Sequence, residues 1–480
     1  MSAVLNGVYI NGAWRAGHEV LEVINPATEA TLARISVGDA QAVTHAVDAA
    51  SAAFIDWSNS TGRDRGALLR KIAQGVSEQR EQLMHVQSSN NGKPLFEAGI
   101  DVDDVIATFE YYAGIADAMD AGQDRPVALP SDDFSARLRR EPCGVVGLIV
   151  PWNFPMVTTA WKLAPALAAG CCVVLKPSEV TPLAELQLAQ IIADAGFPAG
   201  VFNLVCGTGL AVGAPLAADR RVAKISFTGS NAVGVQVMQR AAETIKGVSL
   251  ELGGKSSLLV LADADLDLAV KAIRDSRIIN TGQVCNCAER VYVERKVAEQ
   301  FIERISTAMS ATRYGDPLAL ADAEMGPLIN RQGLDNVNRK VRTALSQGAT
   351  LVSGGQIADL GAGFHFQPTV LAGCRADMEI MREEIFGPVL PIQIVDDLDE
   401  AIALANDCDY GLTSSIYTRD LGKAMHAVRE IDFGETYVNR ENFEAMQGFH
   451  AGVRKSGIGG ADGKHGLYEY THTHVVYLQS

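Results

Sequence analysis

"VAKISFTGSNAVGVQVMQRAA", residues 222–242, contains the strand, turn and helix that decide the fold. An apolar run ending at Thr228 is followed by a Gly229–Ser230 turn and then by apolar residues at helical spacing, with Gly234 in the first helical turn. In such a unit, free N–H groups and the positive end of the helix dipole face the turn and suit a phosphate. Because a plain turn and helix cap give the same pattern, this unit alone leaves phosphate binding open.

The same alternation of short apolar runs and helices extends on both sides of this unit. It starts at residue 144 with "GVVGLIVPW" and continues through "CCVVLKPS", "VFNLVCG" and "VSLELGG". A second alternating series follows Glu251. Strands alternating with helices are typical of parallel, doubly wound sheets. The sequence therefore predicts an α/β protein with two doubly wound, Rossmann-like domains.

Three segments outside these series have other patterns. Residues 39–120 show apolar positions at helical spacing and predict several amphipathic helices. The stretch "RPVALPSDDFSARLRREP" carries prolines and a polar turn and predicts an extended hairpin. The end, "YTHTHVVYLQS", is strand-like, and we expect it to pair with the 126–147 hairpin or with another subunit.

Composition argues against several classes of partner. The formal charge of the 480 residues is −16, with no Lys/Arg-rich run, which disfavours nucleic acid and anionic membranes. The start "MSAVLNGVYINGAWR" lacks the features of a signal peptide, and no apolar run approaches the ~18 residues of a membrane span. We therefore expect a cytoplasmic protein that binds a small molecule and keeps its eight cysteines as free thiols.

The stretch "VVLKPSE" adds a second candidate contact for a nucleotide. Here a predicted strand ends in Lys176 and is followed closely by Glu179, whose carboxylate can accept both hydroxyls of a ribose and would repel a 2′-phosphate. This favours NAD over NADP, although a solvated strand-to-helix loop explains the residues equally well. The usual G-x-G-x-x-G fingerprint is absent after the 222–228 strand, and "CGTGLAVG" at 206–213 is only a loose relative of it.

Six motifs then occur in an order that is hard to obtain by chance. They are "PWNFP" at 151, "KPSE" at 176, "FTGS" at 227, "LELGGK" at 250, "GQVC" at 282 and "EEIFGPV" at 383. In this series the sequence strongly resembles the aldehyde dehydrogenase superfamily over essentially its full length.

The resemblance implies a three-part subunit that assembles as dimers or tetramers. The NAD-binding domain would comprise residues 1–125 and 148–252, and the catalytic domain residues 253–445. A small bridging β oligomerisation element would comprise residues 126–147 and 466–480. Residues 446–465 would return near the substrate pocket.

The resemblance also implies roles for individual residues. Cys285 would be the nucleophile, Glu251 the general base, and Asn153 with the backbone N–H of Cys285 the oxyanion hole. The residues expected to contact NAD are Trp152, Lys176, Pro177, Ser178, Glu179, Gly209, Gly229, Ser230, Glu384 and Phe386, with Glu384 on the nicotinamide ribose.

The chemistry of aldehyde oxidation suits these residue types. A thiolate can add to the carbonyl, after which the adduct gives up hydride and water releases the acid from a thioester. Glu251 disfavours a CoA-acylating relative, in which CoA takes the acyl group. The complete set of Asn153, Glu251 and Cys285 disfavours a non-catalytic binding role on the same fold.

Residues 439–470, together with "CNCAERVYV", resemble the lactaldehyde and glycolaldehyde dehydrogenases of that superfamily. We therefore expect a small 2-hydroxyaldehyde as substrate. Hydroxyaldehyde relatives commonly have an Arg at the position of Trp161, whereas broad aromatic and aliphatic enzymes have the "AWK" found here. A broad or semialdehyde dehydrogenase is thus the alternative. The candidate substrate residues are Phe154, Trp161, Asn286, Glu444 and His450.

The remaining polar residues do not suggest a metal site. The histidines show no spacing to cysteines or carboxylates that is typical of metal ligands, so no metal is expected. Of the two neighbouring thiols, the match of "GQVC" assigns the reaction to Cys285. We expect Cys287 to have a packing role.

Overall fold

The computed structural model describes residues 4–130 and 133–479. In chain order its strands are β1 (Val4–Asn6), β2 (Val8–Ile10), β3 (Ala13–Arg15), β4 (Glu19–Ile24), β5 (Thr31–Val37), β6 (Arg125–Val127), β7 (Phe134–Pro142), β8 (Val145–Ile149), β9 (Cys172–Lys176), β10 (Phe202–Val205), β11 (Val222–Thr228), β12 (Gly247–Glu251), β13 (Ser257–Val260), β14 (Arg290–Glu294), β15 (Thr350–Ser353), β16 (Thr369–Ala372), β17 (Val389–Val395), β18 (Thr413–Tyr417), β19 (Glu435–Val438), β20 (Gly457–Ile458) and β21 (Thr471–Gln479).

The helices connect these strands and cover the sheets. They are α1 (Ala40–Trp57), α2 (Gly62–Glu78), α3 (Arg80–Asn91), α4 (Leu95–Met119), α5 (Pro155–Ala169), α6 (Leu183–Ala195), α7 (Ala214–Ala218), α8 (Asn231–Ala242), α9 (Leu266–Ile278), α10 (Arg295–Ser310), α11 (Arg331–Ser346), α12 (Glu379–Arg382), α13 (Leu398–Asn406), α14 (Leu421–Glu430) and α15 (Gly463–Tyr468). None of the helices in the described ranges is long and apolar enough to cross a membrane.

The first large sheet contains the stretch that opened the sequence analysis, as β11 and α8. Its order is β20-β12-β11-β8-β9-β10-β2-β3, and its five central strands are parallel. β8, β9 and β10 are buried along their whole length because helices cover both faces, which explains their continuous apolar runs. Residues 145–147, which were predicted to belong to the small β element, lie in β8 of this sheet.

The second large sheet is formed by residues 257–438 in the order β15-β16-β17-β14-β13-β18-β19. Its strands are parallel except for β15, which pairs antiparallel with β16. Two separate apolar clusters include side chains of its strands, one with Leu259 and the other with Leu258, which point to opposite faces. The second alternating series in the sequence therefore forms its own doubly wound unit.

Two small sheets complete the architecture. β21 pairs with β7 from Thr471 opposite Pro142 to Gln479 opposite Phe134, and β6 pairs with the other side of β7. Of the two pairings expected for the tail, the structure has the one with the hairpin. The other small sheet, β1-β5-β4, was not predicted.

Residues 439–456 cross from one large sheet to the other, and we call them the crossing strap. They start after β19, an edge strand of the second sheet, and lead into β20, an edge strand of the first. Gly457 of β20 pairs with Glu251 at the end of β12. The strap thus joins the edges of both sheets beside the predicted general base.

A buried carboxylate, Glu289, ties the second sheet to its loops. It accepts hydrogen bonds from Lys255 Nζ at 2.7 Å and Arg277 Nη1 at 2.9 Å, and all three side chains are fully buried. The backbone N–H groups of Ile385 and Phe386 also donate to it. Burial alone would raise the pKa of Glu289, but Lys255 and Arg277 bring it down to about 2.

We expect Glu289→Gln to destabilise the protein strongly. The amide keeps the size of the side chain but leaves the two buried cations without their counter-charge, which typically costs about 3–5 kcal/mol. The free energy of unfolding in urea near pH 7 measures this loss. Asp396→Asn is the matched control, because it removes the exposed partner of Arg295 and should cost less than about 1 kcal/mol. Equal losses in the two variants would contradict the prediction.

Candidate active site

One cavity of about 450 Å³ brings together most of the predicted site residues. From the catalytic set it is lined by Asn153 and Cys285; from the cofactor set by Trp152, Gly229, Ser230, Glu384 and Phe386; and from the substrate set by Phe154, Trp161, Asn286, Glu444 and His450. The lining residues come from both large sheets and from the crossing strap.

The sheet register explains why residues far apart in the chain meet here. Ile149 of β8 lies beside Lys176 of β9 and Phe227 of β11, and Thr228 lies beside Glu251. The carboxyl ends of four parallel strands therefore share one edge, which is where open α/β sheets bind their ligands.

Five predicted cofactor residues lie outside the cavity lining. Lys176, Pro177, Ser178 and Glu179 follow β9, and Lys176 Nζ donates to Glu179 Oε2 at 2.7 Å. Gly209 is exposed and begins a single π-helical turn. Their contacts with a cofactor stay predictions.

Cys285 lies in a turn just before β14, after an unusual run of backbone. Asn280, Thr281 and Gly282 all have positive φ angles, of 44°, 60° and 71°. Such a run is strained for residues other than glycine and needs support from its surroundings. Glu97 Oε2 accepts from the Asn280 N–H at 2.9 Å, and Arg277 donates to the Gly282 carbonyl at 2.7 Å. The turn is therefore held in place from both sides.

The two neighbouring thiols differ in their surroundings. Burial raises the pKa of the Cys285 thiol, while a hydrogen bond with His450 opposes this rise. Cys287 is 1% exposed, its Sγ contacts the Val284 carbonyl oxygen at 3.0 Å, and burial raises its pKa to about 12. All eight cysteines are free thiols. The geometry favours Cys285 as the reactive group.

Asn153 joins the loop after β8 to the Cys285 turn. Its Nδ2 donates to the Gln283 carbonyl at 2.9 Å, and its own carbonyl accepts from Asn280 Nδ2 at 3.0 Å. An amide nitrogen carries two hydrogens, so one N–H of Asn153 remains for a ligand in the cavity. This arrangement is compatible with the predicted oxyanion hole.

Glu251 does not line the cavity but lies just behind it. Neither of its carboxylate oxygens has a hydrogen-bond partner within residues 4–130 and 133–479. Burial, opposed by His450 and Lys162, raises the pKa of Glu251 to about 7. A carboxylate that is half ionised near neutral pH is well suited to accept a proton from water.

The structure adds carboxylates to the site that the sequence analysis missed, among them Glu435 and Asp104. Glu435 Oε1 lies 2.6 Å from His450 Nδ1, and Asp104 Oδ2 accepts from the Trp161 indole N–H at 2.8 Å. Asp101 and Asp104 both line the cavity, and their i, i+3 spacing on α4 is the one sequence signal that points to a shared helix face. No comparable signal marks Glu435.

The part of the cavity around Trp152 and Phe386 has the features that a nicotinamide dinucleotide requires. These two rings pack edge-to-face with centroids 5.5 Å apart and offer an apolar wall. Gly229 and Ser230 line the cavity at the start of α8, where backbone N–H groups and the helix dipole suit a phosphate. Glu384 presents a carboxylate, anchored by the Gly254 N–H at 3.0 Å, that can accept ribose hydroxyls. The residues that line this part of the cavity therefore fit a nicotinamide dinucleotide.

The chain belongs to the aldehyde dehydrogenase family, whose family model matches residues 14–476. It is an oxidoreductase, and the family and enzyme class predicted from the motifs are confirmed. It is 48% identical over 483 residues to lactaldehyde dehydrogenase of Escherichia coli (strain K12), with 99% of each chain covered. Over 471 residues it is 40% identical to the peroxisomal aminoaldehyde dehydrogenase 2 of Pisum sativum, covering 96% of this chain and 93% of the relative.

Solved structures agree with this assignment. The crystal structure of the Escherichia coli lactaldehyde dehydrogenase matches with a TM-score of 0.97 at 47% identity, with 100% of both chains covered. A complex of Staphylococcus aureus betaine aldehyde dehydrogenase with NAD+ matches with a TM-score of 0.96 at 34% identity, covering 99% of this chain and 95% of that one. The predicted α/β fold with parallel sheets is therefore confirmed.

We expect Cys287→Ser to keep most of the aldehyde dehydrogenase activity. Although Cys287 borders the cavity, its side chain is buried and its thiol bonds to the nearby Gly282 and Val284 carbonyls. Iodoacetamide should inactivate both this variant and the wild type, and mass spectrometry should find the label on Cys285 in step with the loss of activity. A more than tenfold loss in the variant, or labelling of Cys287 that tracks inactivation, would overturn the assignment.

Proposed function

We propose that the protein oxidises a small 2-hydroxyaldehyde, of the lactaldehyde or glycolaldehyde type, to its carboxylic acid with NAD. The observation that carries the proposal is that the thiol of Cys285 shares one cavity with the polar groups of Asn286, Glu444 and His450. The 48% identity to a lactaldehyde dehydrogenase supports the same substrate class.

The first half of the reaction uses Cys285 and Asn153. The thiolate adds to the aldehyde carbonyl and forms a thiohemiacetal. The oxyanion then receives hydrogen bonds from the free N–H of Asn153 and from the backbone N–H of Cys285. The loss of one hydrogen-bond donor that is already positioned for the oxyanion typically lowers the rate by a factor of about 10²–10³.

When bound, NAD would supply the hydride acceptor for the conversion of the adduct into a thioester. Trp152, Phe386, Gly229, Ser230 and Glu384 would hold it from within the cavity. The segment Lys176–Glu179 and Gly209 would hold the adenosine half, and the Glu179 carboxylate would disfavour a 2′-phosphate.

The second half of the reaction uses Glu251. Its carboxylate takes a proton from water, and the resulting hydroxide attacks the thioester carbonyl. The carboxylic acid leaves, and Cys285 is restored as a thiolate.

The substrate end of the cavity offers two polar groups that already bond each other. Asn286 Nδ2 donates to Glu444 Oε2 at 2.7 Å, directly beside the nucleophile. A 2-hydroxyl group can donate to Glu444 and accept from Asn286. Trp161, fixed by Asp104, and Phe154 supply apolar walls.

A second candidate substrate class is favoured by the charge of the cavity. Asp104 and Glu444 both line it, and none of the described lining residues is a lysine or arginine. An aldehyde with a terminal ammonium group would therefore find carboxylates, and the one basic side chain in the described lining is His450. The 40% identity to an aminoaldehyde dehydrogenase agrees with this alternative.

We also propose a cytoplasmic homo-oligomer, a dimer or tetramer. The sheet of β6, β7 and β21 presents partly exposed apolar side chains, such as Tyr477 and Leu478, that a second subunit could cover. The eight free thiols suit a reducing compartment.

We expect Glu251→Gln to acylate but to stall at the thioester, because the amide cannot accept a proton from water. Stopped-flow NADH absorbance should show a burst of one equivalent per site and a steady rate lowered by ~10²–10⁴. In the wild type, steady turnover should fall as the pH drops below about 7, since the base acts only when ionised. Unchanged steady turnover in the variant would refute the role of Glu251.

An aldehyde panel with NAD and NADP tests the substrate and cofactor together. We expect lactaldehyde and glycolaldehyde to exceed benzaldehyde, succinate semialdehyde and 3-aminopropionaldehyde in kcat/KM, and NAD to exceed NADP. Asp104→Asn is the companion variant, because it should impair only a cationic aldehyde. A much higher kcat/KM for benzaldehyde would indicate a broad aldehyde dehydrogenase in which Trp161 determines the substrate preference. A much higher kcat/KM for 3-aminopropionaldehyde would favour an aldehyde with an ammonium group as the substrate.

A further inference from the structure

We propose that His450, oriented by Glu435, forms an imidazolium–thiolate pair with Cys285 and so activates the nucleophile in the free enzyme. This inference rests on the proposed function, in which Cys285 is the nucleophile. It gives His450 a catalytic role that differs from contact with a substrate hydroxyl, and it makes Glu435 a positioning residue.

The imidazole is held between the two partners that such a pair requires. His450 is 4% exposed, its Nδ1 lies 2.6 Å from Glu435 Oε1, and its side chain lines the same cavity as Cys285. The backbone of His450 is also fixed, because its N–H and C=O both bond to Ala461 at 3.0 and 2.8 Å. An imidazole that a carboxylate orients thus shares the cavity with the thiol.

Glu435 is itself anchored in its ionised form. The Tyr437 hydroxyl donates to its second oxygen, and the Ala451 backbone supplies another hydrogen bond. Burial would raise the pKa of Glu435, but His450 and Tyr437 bring it below its usual value. The carboxylate therefore remains charged opposite the imidazole.

Several ionisable groups surround the imidazole. Glu435 is the nearest, Glu251 Oε2 lies 3.9 Å from Nε2, and Glu444 and Asp462 act from farther away. Burial would lower the pKa of His450, but Glu435 and the Cys285 thiol raise it well above its usual value. A positive charge on this ring is therefore stabilised beside a thiol that burial alone would keep protonated.

The proton balance of this step is simple. Cys285 Sγ gives its proton to Nε2 of His450, while the Nδ1–H donates to Glu435, so the net charge of the pair does not change. When the thioester is hydrolysed, the bond between sulfur and acyl carbon breaks and the thiolate leaves next to the same imidazolium. Glu251 is then needed only to activate water.

The rate of iodoacetamide alkylation of Cys285 against pH, without aldehyde or cofactor, tests the pair. Because iodoacetamide is uncharged and reacts with the thiolate, its alkylation rate follows the fraction of the thiol that is ionised. Cys285→Ser provides the background of the other thiols. We expect His450→Asn to move the ionisation midpoint up by about one pH unit or more, which lowers the rate about tenfold at pH values well below both midpoints. Glu435→Gln should move it in the same direction by less.

Glu444→Gln is the matched control, because it removes another carboxylate near the ring but leaves Glu435 in place. Its midpoint should stay or fall slightly, since loss of a negative charge favours the thiolate. Far-UV circular dichroism confirms that each variant is folded, and the Glu435 variant keeps the test valid where the His450 variant does not fold.

The outcomes separate this inference from the function on which it rests. An unchanged alkylation profile in His450→Asn and Glu435→Gln overturns the pair, even where both still reduce NAD with a hydroxyaldehyde. A raised KM for the hydroxyaldehyde with an unchanged profile assigns His450 to the substrate alone. NADH formation that persists in Cys285→Ser would instead refute the proposed function itself.

Discussion

The buried carboxylate of Glu289 is the interaction on which the geometry of the site depends. It neutralises two buried cations and accepts the backbone N–H groups of the loop that carries Phe386. Arg277, one of those cations, also donates to the carbonyl of Gly282, which is close in sequence to Cys285. Glu289 thus connects three motifs that are far apart in the sequence, "LELGGK", "GQVC" and "EEIFGPV", through direct or Arg277-mediated hydrogen bonds. An ion pair of this kind contributes mainly by setting relative positions, because its Coulomb energy is largely offset by desolvation.

Much of the fold was predictable because its central strands are buried on both faces. Such strands leave continuous apolar runs in the sequence, and the helices between them leave the 3.6-residue period. The β1-β5-β4 sheet and the addition of β20 to the first large sheet were not predicted. These strands are two to seven residues long and lie at edges or on the surface, where the pairing partner leaves no pattern in the strand itself.

The sequence predicted mainly those residues of the candidate site that belong to recognisable motifs. The six motifs contain the predicted nucleophile, the predicted base and part of the cavity lining. The pairs that hold two of the lining side chains, Glu435 with His450 and Asp104 with Trp161, join residues 15 and 57 positions apart on different elements. No local spacing encodes such a pair, since its geometry follows from the packing of whole elements. The left-handed run at 280–282 is similar, because only the final Gly in it is a sequence signal for that conformation.

The crossing strap joins the edges of the two large sheets. One end leaves the edge of the sheet whose loops carry Cys285, and the other is hydrogen-bonded to the strand that ends in Glu251. His450 lies between these anchors. The positions of Glu444 and His450 relative to both sheets are therefore limited by the length of the strap. A change in the number of strap residues would displace these two side chains while the side chains carried by the sheets stayed the same.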